Sequence, residues 1–280
     1  GETVTVVFTN TLNRGTVIVE KQTDPDGSTQ SFAFAPSYGS PFSLVDGQTN
    51  NSGPLLPGTY SVSETLPAGW TLTSAVCSDG SDPASIKLDP GETVTVVFSN
   101  SLNRGTIIVE KQTDPDGSTQ SFQFAPSYGQ GFSLTDGQTN NSGPLLPGTY
   151  SVAETLPASW TLTSAVCSDG SDPSAIQLDP GETVTVVFTN TQRGQIIVEK
   201  QTDPDGSTQS FEFTTSYGSF SLTDGQSNNS GPLPPGTYSV AETLPAGWDL
   251  TSAVCSDGSD PSAIQLAPGE TVTVVFTNTL

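Results

Sequence analysis

The sequence predicts an all-β chain built from tandem antiparallel β-sandwich domains strung into a rod. Three observations carry that prediction. The octapeptide GETVTVVF begins at Gly1, Gly91, Gly181 and Gly269, a period of 90, 90 and 88 residues. That spacing is too long for one turn of a solenoid and suits a whole small domain. Apolar and polar residues alternate over short runs, the period of a strand with one buried face. Gly, Pro, Asp or Asn bounds every run, and no helical period lasts beyond a turn.

The elements of the first repeat follow in order. GTVIVEKQ opens it, with Val17, Val19 and Lys21 on one face. QSFAFA follows the DPDGS turn and aligns Phe32 with Phe34. FSLVD comes after SYGSP, and TYSVSETL after the long loop DGQTNNSGPLLPG. WTLTSAVC follows LPAG, the short SIKL follows SDGSDP, and GETVTVVFSN closes the unit. Seven short strands with such turns read as a sandwich. The expected core is Val4, Val6, Phe8, Val17, Val19, Phe32, Phe34, Tyr60, Val62, Trp70 and Leu72, with their counterparts in the other repeats.

The complete units are residues 15–102, 105–191 and 194–280. Residues 1–12 are then the last strand of an upstream repeat in a longer array, or a strand added to a neighbour's sheet edge. The connection NSLNRG is short and stiff, so a rod of roughly 100–120 Å is expected for three units.

Composition narrows the function. The chain has 280 residues, 7 basic and 29 acidic, a formal charge of −22. Such a chain offers no cluster of Lys and Arg for nucleic acid or anionic lipid. There is no His, which removes the commonest general acid–base and a common metal ligand. No run is long and apolar enough for a membrane span. No cofactor and no enzymatic activity are expected.

The parity of the strands raises one anomaly. Lys21 continues the face of Val17 and Val19. Glu64 continues that of Tyr60 and Val62, and Asn100 that of Val96 and Phe98. The set recurs as Lys111, Glu154, Asn190 and as Lys200, Glu242, Asn278; Asn10 occupies the same place at the end of residues 1–12. Of four lysines, three occupy this slot, so the slot selects them. One reading ends each strand there and turns the polar residue to solvent. Another is a Lys–Glu ion pair at the rim. A third is chemical: a desolvated Lys loses its proton and attacks the Asn carboxamide, while a protonated Glu polarises it and shuttles protons.

The segments YSVSETLPAGW, YSVAETLPASW and YSVAETLPAGW resemble the E-box of Cna B-type, SpaA-like domains, prealbumin-like (Ig-like) sandwich modules of bacterial surface proteins and pilins. The resemblance covers essentially all of each repeat. It implies an intramolecular isopeptide bond between the first-strand Lys and last-strand Asn, assisted by the E-box Glu, at the nine positions just named. In similar repeats the last strand often carries a Cys paired with that of CSDG. Here the slot holds Val96, Val186 or Val274, leaving Cys77, Cys167 and Cys255 as buried thiols or inter-chain partners.

Weaker signals recur with the repeat. Asn50, Asn140 and Asn228 head N-x-S sequons, candidate sites for covalent glycans, although Asn and Ser also suit turns. Asp24 and Asp26 are two oxygen ligands of a candidate Ca²⁺ site that lacks the rest of a calcium loop, so a Pro–Asp–Gly turn is preferred. Trp70, Trp160 and Trp248 are expected in the core. The sequence therefore points to a structural component of an extracellular or cell-surface fibre, filament or stalk, whose partners are copies of itself. The alternative is an adhesin or carbohydrate-binding repeat array.

Overall fold

The computed structural model describes all 280 residues and contains strands, turns and no helix. In the first repeat nine strands form: β1 (Thr16–Asp24), β2 (Phe32–Pro36), β3 (Phe42–Leu44), β4 (Thr49–Asn51), β5 (Gly58–Tyr60), β6 (Val62–Thr65), β7 (Trp70–Cys77), β8 (Ile86–Leu88) and β9 (Thr93–Leu102). The other two repeats reproduce the same nine. One layer is a four-stranded sheet in the order β4-β1-β9-β7. The other comprises the sheet β3-β2-β6 and the pair β5-β8. Between them lies a core that includes Val17, Val19, Phe32, Phe34, Val62, Ile86, Val94, Val96 and Phe98.

The strands differ from expectation in three ways. TYSVSETL is two strands: Tyr60 pairs with Ile86 on β8, whereas Val62 pairs with Pro36 on β2. The chain crosses between the two at Ser61, so Tyr60 does not share Val62's fully buried face. β4 forms inside the expected long loop, because Thr49, Asn50 and Asn51 find the free edge of β1. Most sheet neighbours are antiparallel, but β1 and β9 run parallel in unbroken register from Thr16↔Thr93 to Asp24↔Ser101. Gly15 allows that pairing to start closely: a Cβ there would lie 2.7 Å from the Glu92 carbonyl oxygen and 2.8 Å from Leu88 Cγ.

Part of the expected core is corrected. Residues 1–14 form no strand, and Val4, Val6 and Phe8 are 77%, 68% and 87% exposed. They have the alternation of a strand but no neighbouring strand in this chain. Leu72 is 38% exposed, at the point where the register of β7 on β9 shifts between Leu72 and Ser74. Tyr60 does pack against the core, but it is half-buried, and its hydroxyl donates to the Leu56 carbonyl.

Candidate functional site

Each repeat buries a lysine, a glutamate and an asparagine between its first and last strands. On β1 the alternation that buries Val17 and Val19 continues to Lys21, which is fully buried. On β9 the inward row Val94, Val96, Phe98 continues to Asn100. The parallel register sets Lys21 opposite Phe98 and Thr23 opposite Asn100, so the two polar residues are close along adjacent strands. β6 brings Glu64 in from the facing layer, its side chain also buried. The reading in which these residues turn to solvent is thereby overturned.

Lys21 Nζ donates to the carbonyl oxygens of Gln22 at 2.7 Å and Phe98 at 3.1 Å. It lies 3.6 Å from Glu64 Oε1, while Asn100 Nδ2 donates to Glu64 Oε2 at 3.0 Å. The Phe32 ring closes one side, its centre 4.2 Å from Nζ, and Trp70 stands edge-on behind it. In the second repeat, Lys111 is 3.6 Å from Glu154 and Asn190 donates to Glu154 at 2.9 Å. In the third, Lys200 is 3.5 Å from Glu242, to which Asn278 donates at 2.9 Å. Asn10 lies in the exposed segment, away from any such site.

Burial lowers the Lys21 ammonium from the ordinary lysine value, even with Glu64 beside it. Burial raises the Glu64 carboxyl, against the Asn100 hydrogen bond and the lysine charge. Lys111 and Glu154 shift the same way, and burial also lowers Lys200. Burial thus moves Lys21 and Glu64, and Lys111 and Glu154, toward their neutral forms. One Glu64 oxygen and the Asn100 carbonyl oxygen lack a hydrogen-bond partner, and both counterpart sites repeat this. A buried polar atom without a partner is costly, so a threefold recurrence calls for a chemical reason.

Sequence reasoning missed three parts of the site: the two carbonyls holding Nζ, the Phe32 wall, and Asp46. The Asp46 carboxylate accepts from the backbone N–H of Thr23 at 2.6 Å and of Gly27 at 2.8 Å. Those bonds, that from Gly27 foremost, hold it below the usual carboxylate range. Gly47 N–H donates to the Lys21 carbonyl, so the Asp46 loop fastens the end of β1 that carries Lys21. Asp136 and Asp224 make the same bonds. Their recurrence 25, 25 and 24 residues after the lysine was visible in the repeats, but not their role.

The remaining candidates lie elsewhere. Asp24 is exposed within 3.5 Å of Arg104, and no group of three acidic side chains gathers around it or Asp26 to hold a cation. Asn50, Asn140 and Asn228 are half-buried in short strands opposite Val19, Val109 and Val198. The Ser52 hydroxyl of the first sequon accepts from Val17 N–H and donates to the Gly53 carbonyl. Trp70, Trp160 and Trp248 are buried. Cys77 is a buried free thiol opposite Val96, raised by burial, as are its two counterparts, which fits packing rather than an inter-chain disulfide.

A family model described as a prealbumin-like fold domain matches residues 17–108, 107–198 and 196–280. The chain belongs to this family of SpaA-type domains. Among solved structures, the Bacillus anthracis TIE protein is similar at 19% identity and a TM-score of 0.50 over 95% of this chain. The chain spans 51% of that protein's length. Two B repeat units of the Staphylococcus aureus collagen-binding protein match at 14% identity and a TM-score of 0.31, over 95% of this chain and 75% of that one. BcpA, the major pilin subunit of Bacillus cereus, matches at 12% and 0.31, over 95% and 99%. No curated protein sequence matches the chain. The prealbumin-like domains therefore account for three near-identical sites on one scaffold.

Proposed function

We propose that this chain is a structural component of an extracellular fibre, filament or cell-surface stalk, assembled with copies of itself and strengthened within each repeat by a Lys–Asn isopeptide bond. The observation that carries the reading is the dry Lys21–Glu64–Asn100 constellation joining first strand to last, built three times with the same partners. Three near-identical domains repeat a shape, and none carries a specialised loop.

The chemistry balances on the residues present. Neutral Lys21 Nζ attacks Asn100 Cγ. Protonated Glu64 donates to the Asn100 carbonyl oxygen, which requires the amide to turn over from the orientation in which Nδ2 faces the carboxylate. The N–C bond forms, Glu64 relays the amine proton to the departing nitrogen, and the Cγ–Nδ2 bond breaks to release ammonia. The Gln22 and Phe98 carbonyls fix the amine, and Phe32 keeps water away. Closing a loop of about 80 residues stabilises the fold by ~4 kcal/mol through the unfolded state.

Intact mass tests this. The folded chain is expected to have lost three molecules of ammonia, and Glu64→Ala to lose only two. An unmodified mass in the folded protein overturns the cross-link. Electron microscopy of the native source tests the fibre: regular filaments are expected, and dispersed single molecules contradict it.

A further inference from the structure

β7 stands at the end of its sheet, β4-β1-β9-β7, and is paired on one side only. It has eight residues, against three for the edge strands β3 and β4 and four for β6. Exposed edges are ordinarily blunted by charge, by Pro or by shortness. No charged residue occurs from Thr65 to Ser78, in a chain whose formal charge is −22. Exposed apolar side chains gather here as well. Outside residues 1–12 and Leu280, ten large apolar side chains are exposed, and nine of them are Leu66, Leu72, Val76 and their counterparts in the other repeats. Val76 is 58% exposed and pairs with the half-buried Val97 of β9. Ser78 N–H donates to the Thr95 carbonyl. By the alternation of an antiparallel ladder, Val76 then turns its backbone groups to β9, while Ala75 and Cys77 turn theirs to the open edge. The Cys77 carbonyl accepts from Gly80 N–H. The Ala75 N–H, the Ala75 carbonyl and the Cys77 N–H have no strand to meet.

We propose that a second copy of this chain docks on that edge, β7 against β7, antiparallel about Val76, so that two four-stranded sheets become one. The contact rests on the self-assembly proposed above and needs no Lys–Asn bond. In this register Ala75 meets the partner's Cys77 in a hydrogen-bonded pair, and Val76 meets its own counterpart. Val97 and Val76 of both copies then form one row on the outer face, a cross-strand grouping of β-branched side chains that favours pairing. Charge selects the same occupant. Copies this acidic repel one another, and they can meet where charge is absent. The two-fold arrangement sets Asp79 of one copy opposite Thr73 of the other, six residues from that copy's own Asp79. The two carboxylates therefore stay about 20 Å apart. Because the same strand serves both copies, the contact is isologous and occupies one edge of each. The third repeat departs at one place, since Asp249 stands where the others have Thr71 and Thr161. There it would lie within two residues of the partner's Asp257, so the third edge is expected to pair least. A contact of this size falls below a standard interface, so association is expected only as the chain approaches about 1 mM.

Sedimentation equilibrium of the full chain tests this. In about 0.5 M salt, which screens the repulsion between copies, the average mass is expected to rise above 29.0 kDa towards about 1 mM chain. Val76→Lys together with Val166→Lys sets like charges opposite each other at two exposed positions. That variant is expected to return the mass close to 29.0 kDa over the same range, and Val254→Lys alone to change it little. Hydrogen exchange locates the contact. The amides of Ala75 and Cys77 are expected to slow as concentration rises, while that of Val76, already bonded to β9, keeps its rate. If the double variant melts early, exchange at Ala75 and Cys77 in the unaltered chain decides. Protection that grows with concentration supports the edge contact, and unchanged rates overturn it. A mass fixed at 29.0 kDa throughout also overturns it, as does association that persists undiminished in a folded double variant. Filaments in the native source alongside either result leave self-assembly standing through another surface and remove β7 from it.

Discussion

Residues 1–12 and 269–280 are the same twelve amino acids in two situations. In the second, two flanking strands satisfy the backbone and the alternating side chains are buried. In the first there is no neighbour, no strand and no burial. Strand propensity is therefore permissive: Val and Thr fit a pleated surface only where another strand supplies it. Burying two valines and a phenylalanine is worth about 5–9 kcal/mol in all, which the free segment forgoes. The contrast shows that a strand belongs to the sheet that receives it.

The largest expected effect attacks the buried copy. Val274→Asp places a carboxylate in the third core, where Val274 is fully buried, and is expected to cost more than about 4 kcal/mol. Loss of the third of the thermal transition assigned to that repeat would show it, and an unchanged melt would contradict the burial of residues 269–280.

Next comes the polar end of the buried strand. On the proposed cross-link, Glu64→Ala prevents the Lys21–Asn100 bond and leaves Lys21 without its carboxylate, so about 3–5 kcal/mol should be lost from the first repeat. A variant that cannot react, Asn100→Ala, retains the titrating pair and exposes its pH dependence. The folded-state value of Lys21 is lowered, so the unfolded chain binds more protons between that value and the ordinary one near ~10.4. Stability of Asn100→Ala should therefore rise with pH across that window. Adding Lys21→Met should flatten the slope, as urea titrations from neutral to alkaline pH would show.

Asp46→Ala is a smaller perturbation. It orphans the Thr23 and Gly27 N–H groups and should cost about 1–2 kcal/mol. It should also slow ammonia loss from the first repeat, with the other two as controls in the same molecule. Equal rates in all three would remove Asp46 from any part in placing Lys21. The smallest effect belongs to the free segment. Val6→Asp should leave every melting transition within about 0.5 kcal/mol, and a large shift would show that residues 1–12 already have a partner.

Much of this was legible in the sequence. Near-exact repetition marked three tandem repeats, and parity alone picked out Lys21, Glu64 and Asn100, because a period of two leaves no choice of face once Val17, Val62 and Val96 are inward. Pairing partners were not legible. Nothing in GTVIVEKQ states that its neighbour runs parallel, nor in TNN that a polar tripeptide will pair with an apolar strand. The break at Ser61 and the Asp46 clamp are likewise tertiary facts, set by which strands lie nearby. Residues 1–12 show the limit from the other side, since their alternation predicts a strand that this chain gives nothing to pair with.

The parallel ladder of β1 on β9 has a mechanical consequence. The chain enters β1 at one end of the sheet and leaves β9 at the other, about 30 Å away for nine residues. A pull on the two ends of the repeat loads the nine matched positions in shear, all at once, where an antiparallel pair pulled from adjacent ends would unzip one bond at a time. With Lys21 joined to Asn100, the load passes along the start of β1, across one amide, and out through the last residues of β9. Residues 22–99 then bear no tension, and the extension of each domain under force is limited to the few residues outside the bond.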